Sequence, residues 1–186
     1  MIESLVITAL PVIFTAVLFS GWGMFRRKNI DMEGEPPINK ALFNVSKYTI
    51  VVLWGVMVLT AWGINPPFVK RPALIEWLSL CLWLLGFLLL FAGWFTLGNS
   101  FRFGSPREST SLKVAGLYKF SRHPMYLGVY ATVLASALYT MNPVFLFLAI
   151  AVIMIHRKII IAEEWYLLKV FGKEYKNYCS RVRRYL

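Results

Sequence analysis

Residues 122–164 read RHPMYLGVYATVLASALYTMNPVFLFLAIAVIMIHRKIIIAEE, and how this stretch divides decides the fold. From Pro124 to Ile155 it runs for 32 residues without a charge. As one straight helix at ~1.5 Å per residue it would extend about 48 Å, well past the ~30 Å hydrocarbon core of a bilayer. Asn142-Pro143 interrupts it; Asn-Pro favours turn initiation, and proline suits the first position of a helix. The pattern predicts a hairpin of two helices. One is Pro124–Met141; the other starts at Pro143 and runs past His156-Arg157-Lys158 into Ile159-Ile160-Ile161. A hairpin returns Arg122-His123 and Glu163-Glu164 to one face, whereas an unbroken helix would hold them apart.

Outward from this stretch the chain repeats the same grammar. Ser4–Phe25, Tyr48–Val69 and Trp77–Phe101 are uncharged, and each supplies the ~20 residues that cross a membrane. With 58% hydrophobic residues and a mean hydropathy of +0.60, an ordinary soluble domain is excluded. The expectation is an all-α integral membrane protein with five transmembrane helices and an amphipathic C-terminal helix, Glu163–Tyr178, lying at the interface. The first segment lacks a basic flank before it, carries Glu3 there, and is followed by Arg26-Arg27-Lys28. It reads as a retained span, bent at Pro11, rather than a cleaved signal.

Loop charges test the hairpin independently. With five spans and the N-terminus outside, one side receives Arg26, Arg27, Lys28 and Lys40, then Arg102, Arg107, Lys113, Lys119 and Arg122. The same side also receives Arg157, Lys158, Lys169, Lys173, Lys176, Arg181, Arg183 and Arg184, making 17 of the 20 basic residues. Four spans would place the basic C-terminal group outside, against the positive-inside rule. The expected topology therefore has an outside N-terminus, a cytoplasmic C-terminus and any site at the cytoplasmic face. The net charge of +11 is then membrane-facing, with anionic lipids as partners and no nucleic acid implied. Cys81 and Cys179 offer neither metal spacing nor a disulfide framework. Residues 1–186 read as a single membrane domain, with two peripheral spans in 1–72 and a catalytic core in 73–186.

The polar residues at the hairpin ends are the candidate chemistry. Singly, Arg122 is a snorkelling anchor, Pro124 a helix start and Tyr126 an interfacial aromatic. Together, Arg122, His123, Pro124, Met125 and Tyr126 display a cation, an imidazole and a phenol at a helix N-terminus, which favours an anion. Glu163 and Glu164 point about 100° apart on a helix, so one can face the bundle while the other meets water or a basic residue. A salt-bridge cap to Lys158, Lys169 or loop cations is the structural alternative to a receptor for a cationic or hydroxyl-bearing ligand. The preceding loop, Leu112, Lys113, Val114, Ala115, Gly116, Leu117 and Tyr118, contains a glycine that permits close backbone approach or a positive φ. No dinucleotide fingerprint, Walker loop, zinc spacing or serine–histidine–acid order occurs.

Taken in order, Gly116-Leu117-Tyr118, Arg122-His123-Pro124-Met125-Tyr126 with Gly128, Asn142-Pro143, Glu163-Glu164 with Leu167, and Phe171-Gly172 with Glu174-Tyr175 and Tyr178 resemble the isoprenylcysteine carboxyl methyltransferase family. The match spans about 116–186, leaves the first two spans out, and is similar to short prokaryotic, archaeal-type members. The resemblance implies a membrane enzyme that uses S-adenosylmethionine without a Rossmann fold. Its cofactor pocket would comprise the Lys113–Tyr118 loop, His123, Pro124, Met125, Tyr126 and Glu163. The family's substrate-binding arginine falls where this chain has Ile159-Ile160-Ile161, so Arg157 is its nearest candidate, with Glu164 as a second substrate-positioning residue.

The residue chemistry agrees with that implication. Glu163 or Glu164 can pair with the cofactor's ammonium or hydroxyls, Arg122 or Lys113 with its carboxylate, and Tyr118 and Tyr126 can flank adenine or sulfonium. Methyl transfer to a carboxylate, as in a prenylated cysteine, needs alignment but no general base. An amine acceptor would need one, and His123 is then the candidate. A membrane NADPH-dependent sterol-type reductase, a phospholipid N-methyltransferase and a merely anchored, non-enzymatic bundle are the alternatives. The lipophilic acceptor and the oligomeric state are not specified by the sequence.

Overall fold

A computed structural model describes residues 1–27, 36–98 and 111–185. Lys28, Phe101, Arg102 and Arg107, used above in counting spans and charges, lie outside the described residues. Among the described residues there are five α-helices: α1 (Ile2–Arg27), α2 (Lys40–Ala61), α3 (Ala73–Leu97), α4 (Pro124–Thr140) and α5 (Pro143–Cys179). A 3-10 turn, Gly116–Lys119, precedes α4, and no strand occurs among the described residues. The all-helical membrane architecture follows. Four helices, α1, α2, α3 and α5, are long and apolar enough to cross a bilayer. The five expected spans are not all matched on that criterion. With 17 residues, α4 extends only about 25 Å and sits at the lower limit for spanning.

The hairpin turn falls at Asn142-Pro143. Met141 closes α4 in the left-handed region at φ 49°, and the Asn142 side chain accepts a hydrogen bond of 2.9 Å from the Val144 amide. Pro143 then opens α5 without losing an intrahelical bond. The expected separate interfacial helix is instead the continuation of α5, which breaks helical geometry only at Gly172 (φ 48°, ψ −114°). Part of its apolar face packs against the protein, while Trp165 and Val170 stay exposed. Tyr175, Tyr178 and Val182 pack on Leu112, Leu167, Leu168 and Phe171, tying the tail to the loop before α4.

Close approach of α3 and α4 sets the bundle. A Cβ on Gly86 would meet the Gly128 carbonyl at 2.9 Å, and one on Gly128 would meet the Gly86 carbonyl at 2.7 Å. Small residues let helix backbones approach where lipid offers no hydrophobic drive for association. α1 and α2 join through an aromatic cluster in which Phe14 lies edge-on to Trp54, Phe87 and Phe91 at 6.1, 6.0 and 5.3 Å. The end of the bundle away from Arg122 is fastened by polar contacts. There the Tyr139 hydroxyl donates to Glu3, and Arg71 donates to the Tyr139 carbonyl (2.6 Å) while lying 3.7 Å from its ring centroid.

Candidate active site

The two glutamates part as helical geometry requires. Glu163 accepts a hydrogen bond of 2.5 Å from the Tyr126 hydroxyl on α4. Glu164 faces the other way and gathers cations. Arg122 donates to Glu164 Oε1 at 2.8 and 3.1 Å, His123 Nε2 lies 3.2 Å from the same oxygen, and Arg184 donates to Oε2 at 2.7 and 3.1 Å. An ionised carboxylate takes such forked donors in charge-assisted bonds, about twice as strong as neutral ones. The hydrogen bonds to Glu164 raise the Arg184 pKa above the ordinary guanidinium value.

This cluster joins three parts of the chain. Arg122 also donates to the Val182 carbonyl (3.2 Å), its amide donates to the Arg183 carbonyl (3.0 Å), and Ser121 donates to the Arg184 carbonyl (3.2 Å). The Tyr178 hydroxyl reaches the Tyr118 carbonyl at 2.6 Å. Burial disfavours the Tyr118 phenolate and pushes its pKa well up, with the Glu163 charge adding to the effect. The start of α4, the far part of α5 and the tail therefore form one rigid frame around Glu163.

A partly open cavity of about 500 Å³ lies inside that frame, within the ~300–1,000 Å³ usual for ligand sites. At the polar end it is lined by Leu112, Lys113, Tyr118, His123, Tyr126 and Glu163. It continues between α1 and α2, where Phe14, Leu18, Phe43, Ile50 and Trp54 form an apolar wall. Phe19, Trp22, Tyr48 and Val51 also line it, and these are exposed, marking a mouth between the two helices.

The sequence-derived residues distribute unevenly around this cavity. Arg122 and Met125 line it with the six named above, although the Arg122 guanidinium is engaged by Glu164. Pro124 is buried as the first residue of α4 without lining the cavity, and Met125 packs over Gly93. Val114, Ala115, Gly116 and Leu117 carry the chain past it, with Gly116 at φ 58° against Thr96. Arg157 is exposed and lies off the cavity, and Glu164 borders a separate shallow groove with Trp165 and Arg184. Two residues not read as site residues from the sequence take part, Arg184 and, on the cavity wall, His156, and Tyr178, there only part of the motif pattern, ties the tail to the loop. For His156 the available signal was a lone imidazole two helical turns before Glu163, obscured by Arg157 and Lys158 beside it.

Comparison with known proteins adds the following. The family profile described as phospholipid methyltransferase matches residues 74–174, more than half of the chain. The matched region takes in all but the first residue of α3, the loop, α4, and α5 as far as Glu174, with both glutamates. No curated protein matches the chain significantly.

Proposed function

Because this chain belongs to the phospholipid methyltransferase family, we propose that it transfers the methyl group of S-adenosylmethionine to the headgroup of a membrane lipid. One observation carries this: a single cavity joins the polar pocket at Glu163 and Tyr126 to an apolar mouth between α1 and α2. A water-soluble donor and a lipid-borne acceptor need such a meeting place. The motif resemblance to isoprenylcysteine carboxyl methyltransferases supports the same chemistry within a related membrane group.

The donor set suits S-adenosylmethionine. Glu163 accepts from an ammonium or ribose hydroxyls, and Tyr126, bonded to it at 2.5 Å, fixes its rotamer. Lys113 answers the carboxylate, because Arg122 is already paired with Glu164. Tyr118 and Tyr126 offer ring faces to adenine or sulfonium. When bound, S-adenosylmethionine supplies a methyl carbon made electrophilic by the adjoining sulfonium. The chain contributes alignment along one line and an apolar wall that keeps water from the reacting atoms.

Among lipid acceptors, an amine headgroup fits better than the carboxylate of a prenylated cysteine. Arg157, the candidate to hold a carboxylate, is exposed and off the cavity, the Arg122 guanidinium is engaged, and Lys47 on the cavity wall lies over the Tyr48 ring at 5.8 Å. The topology proposed with this function has five crossing helices, an outside N-terminus, and the Glu163 pocket at the cytoplasmic face. Calorimetry with S-adenosylhomocysteine on the purified protein tests the donor site; no heat from folded protein refutes it. Transfer of label from S-adenosylmethionine to phosphatidylethanolamine vesicles, set against a prenylated cysteine analogue, tests the acceptor.

A further inference from the structure

An amine lipid arrives as an ammonium, whose nitrogen has no lone pair with which to attack. His123, the base suggested by the sequence, has its distal nitrogen turned to Glu164 at 3.2 Å. His156 is placed differently. It is buried on the cavity wall, 8% exposed, and its Nδ1 lies 2.9 Å from the Val152 carbonyl and 3.0 Å from the Ser46 hydroxyl oxygen. A carbonyl only accepts, so Nδ1 carries the hydrogen and shares it between the two oxygens. That fixes the tautomer in which the distal nitrogen, Nε2, holds the lone pair. Seven residues separate His156 from Glu163, two turns of α5, so both sit on one face about 10 Å apart along the axis. Through Ser46, His156 meets α2, the helix that carries Tyr48 and Val51 of the apolar mouth.

We propose that His156 takes the proton from an ammonium headgroup and so generates the neutral amine that accepts the methyl group. This rests on the methyl-transfer function proposed above. The N–H bond breaks as the proton moves to Nε2. The freed nitrogen pair forms the new N–C bond while the donor's S–C bond breaks, its electrons returning to sulfur. The methylated nitrogen keeps the positive charge, and the proton passes from Nε2 to solvent. The rings of Tyr126 and Tyr130 flank the imidazole with centroids at 5.5 and 6.4 Å, so the transient imidazolium meets two aromatic rings. Of the titratable groups, Tyr126 and Tyr130 from α4 pack on the imidazole, while Lys47 from α2, His123 before α4 and Glu163 from α5 line the same cavity.

The wild-type protein gives the first test. It contains two histidines, so ¹⁵N-histidine spectra at pH 8 resolve each. His156 is expected as the Nδ1–H tautomer with a bare Nε2; an Nε2–H tautomer overturns the proposal. The second test compares wild type with His156→Gln on phosphatidylethanolamine vesicles. At pH 7 the variant is expected to lose about 100-fold in kcat while binding S-adenosylhomocysteine within about twofold of wild type. Its rate should climb about tenfold per pH unit toward pH 9, as solvent replaces the missing base. A variant rate within about threefold of wild type, or a deficit that does not change with pH, overturns the role of His156. Failure of wild type to bind S-adenosylhomocysteine would instead sink the methyltransferase function, so the two failures are distinguishable.

Discussion

Adjacent glutamates should fail in opposite ways. Glu164→Gln keeps the shape and one acceptor but removes the charge that balances Arg122, His123 and Arg184. The Glu164 and Arg122 side chains are 13% and 12% exposed, so the variant leaves a nearly buried guanidinium uncompensated. Breaking a buried pair costs ~3–5 kcal/mol. The lower end applies, because Arg122 retains the Cys179 and Val182 carbonyls. Arg184, 36% exposed, can swing into water, and its pairing is worth at most ~1 kcal/mol. A loss of about 3 kcal/mol corresponds to roughly 6–12 °C in Tm for a chain of this size. Melting in detergent, followed by tryptophan fluorescence, should therefore rank Arg122→Ala with Glu164→Gln, and both well below Arg184→Ala. Glu163→Gln should melt within about 3 °C of wild type, a cost under ~1 kcal/mol, yet bind S-adenosylhomocysteine at least about tenfold more weakly. The reasoning is refuted if Glu164→Gln melts like wild type, or if Arg184→Ala is the most damaging of the three.

Further outcomes follow from other parts of the bundle. Gly128→Val places a side chain where a Cβ alone already lies 2.7 Å from the Gly86 carbonyl. It should cost at least ~2 kcal/mol, and unchanged melting would contradict the close crossing of α3 and α4. Burial holds the Tyr118 hydroxyl above its ordinary pKa of 10.0, so the stability it confers is intact below pH 10 and lost as pH rises through the raised value. Tyr118→Phe should accordingly soften the fall in Tm above pH 10, and an identical alkaline profile would count against that burial. Ile50→Trp, on the apolar wall, should raise KM for a long-chain acceptor about tenfold and leave S-adenosylhomocysteine binding unaltered. Equal KM values for wild type and variant would exclude the groove between α1 and α2 as the chain-binding path.

What the sequence disclosed was local. Asn142-Pro143 announces a hairpin because turn formation depends on two neighbouring residues, and the 100° step between Glu163 and Glu164 follows from helix geometry. The contribution of α1 and α2 to the cavity was not legible. In lipid both the outer and the inner faces of a helix are apolar, so periodicity does not separate a cavity wall from a bilayer-facing surface. Gly86 and Gly128 look like ordinary glycines until the helices cross. His156 looked like a flank of Arg157-Lys158, since its partner Ser46 lies 110 residues away. The tail read as a lipid anchor because lysines and aromatics at helical spacing fit an interface equally well. Its aromatic residues Tyr175 and Tyr178 pack on Leu112 and Leu167, in the same region as the Arg184–Glu164 pair.

The exposed mouth formed by Phe19, Trp22, Tyr48 and Val51 carries a kinetic consequence. A lipid that enters there is met in two dimensions, so its effective concentration is a mole fraction in the bilayer rather than a molarity. Diluting the acceptor with an inert lipid at constant total amount should slow turnover in proportion. Adding more vesicles of fixed composition should not speed it once all the enzyme is embedded. The proposed donor, reaching the polar end from water, would remain an ordinary three-dimensional solute. One cavity would thus obey two concentration scales at once.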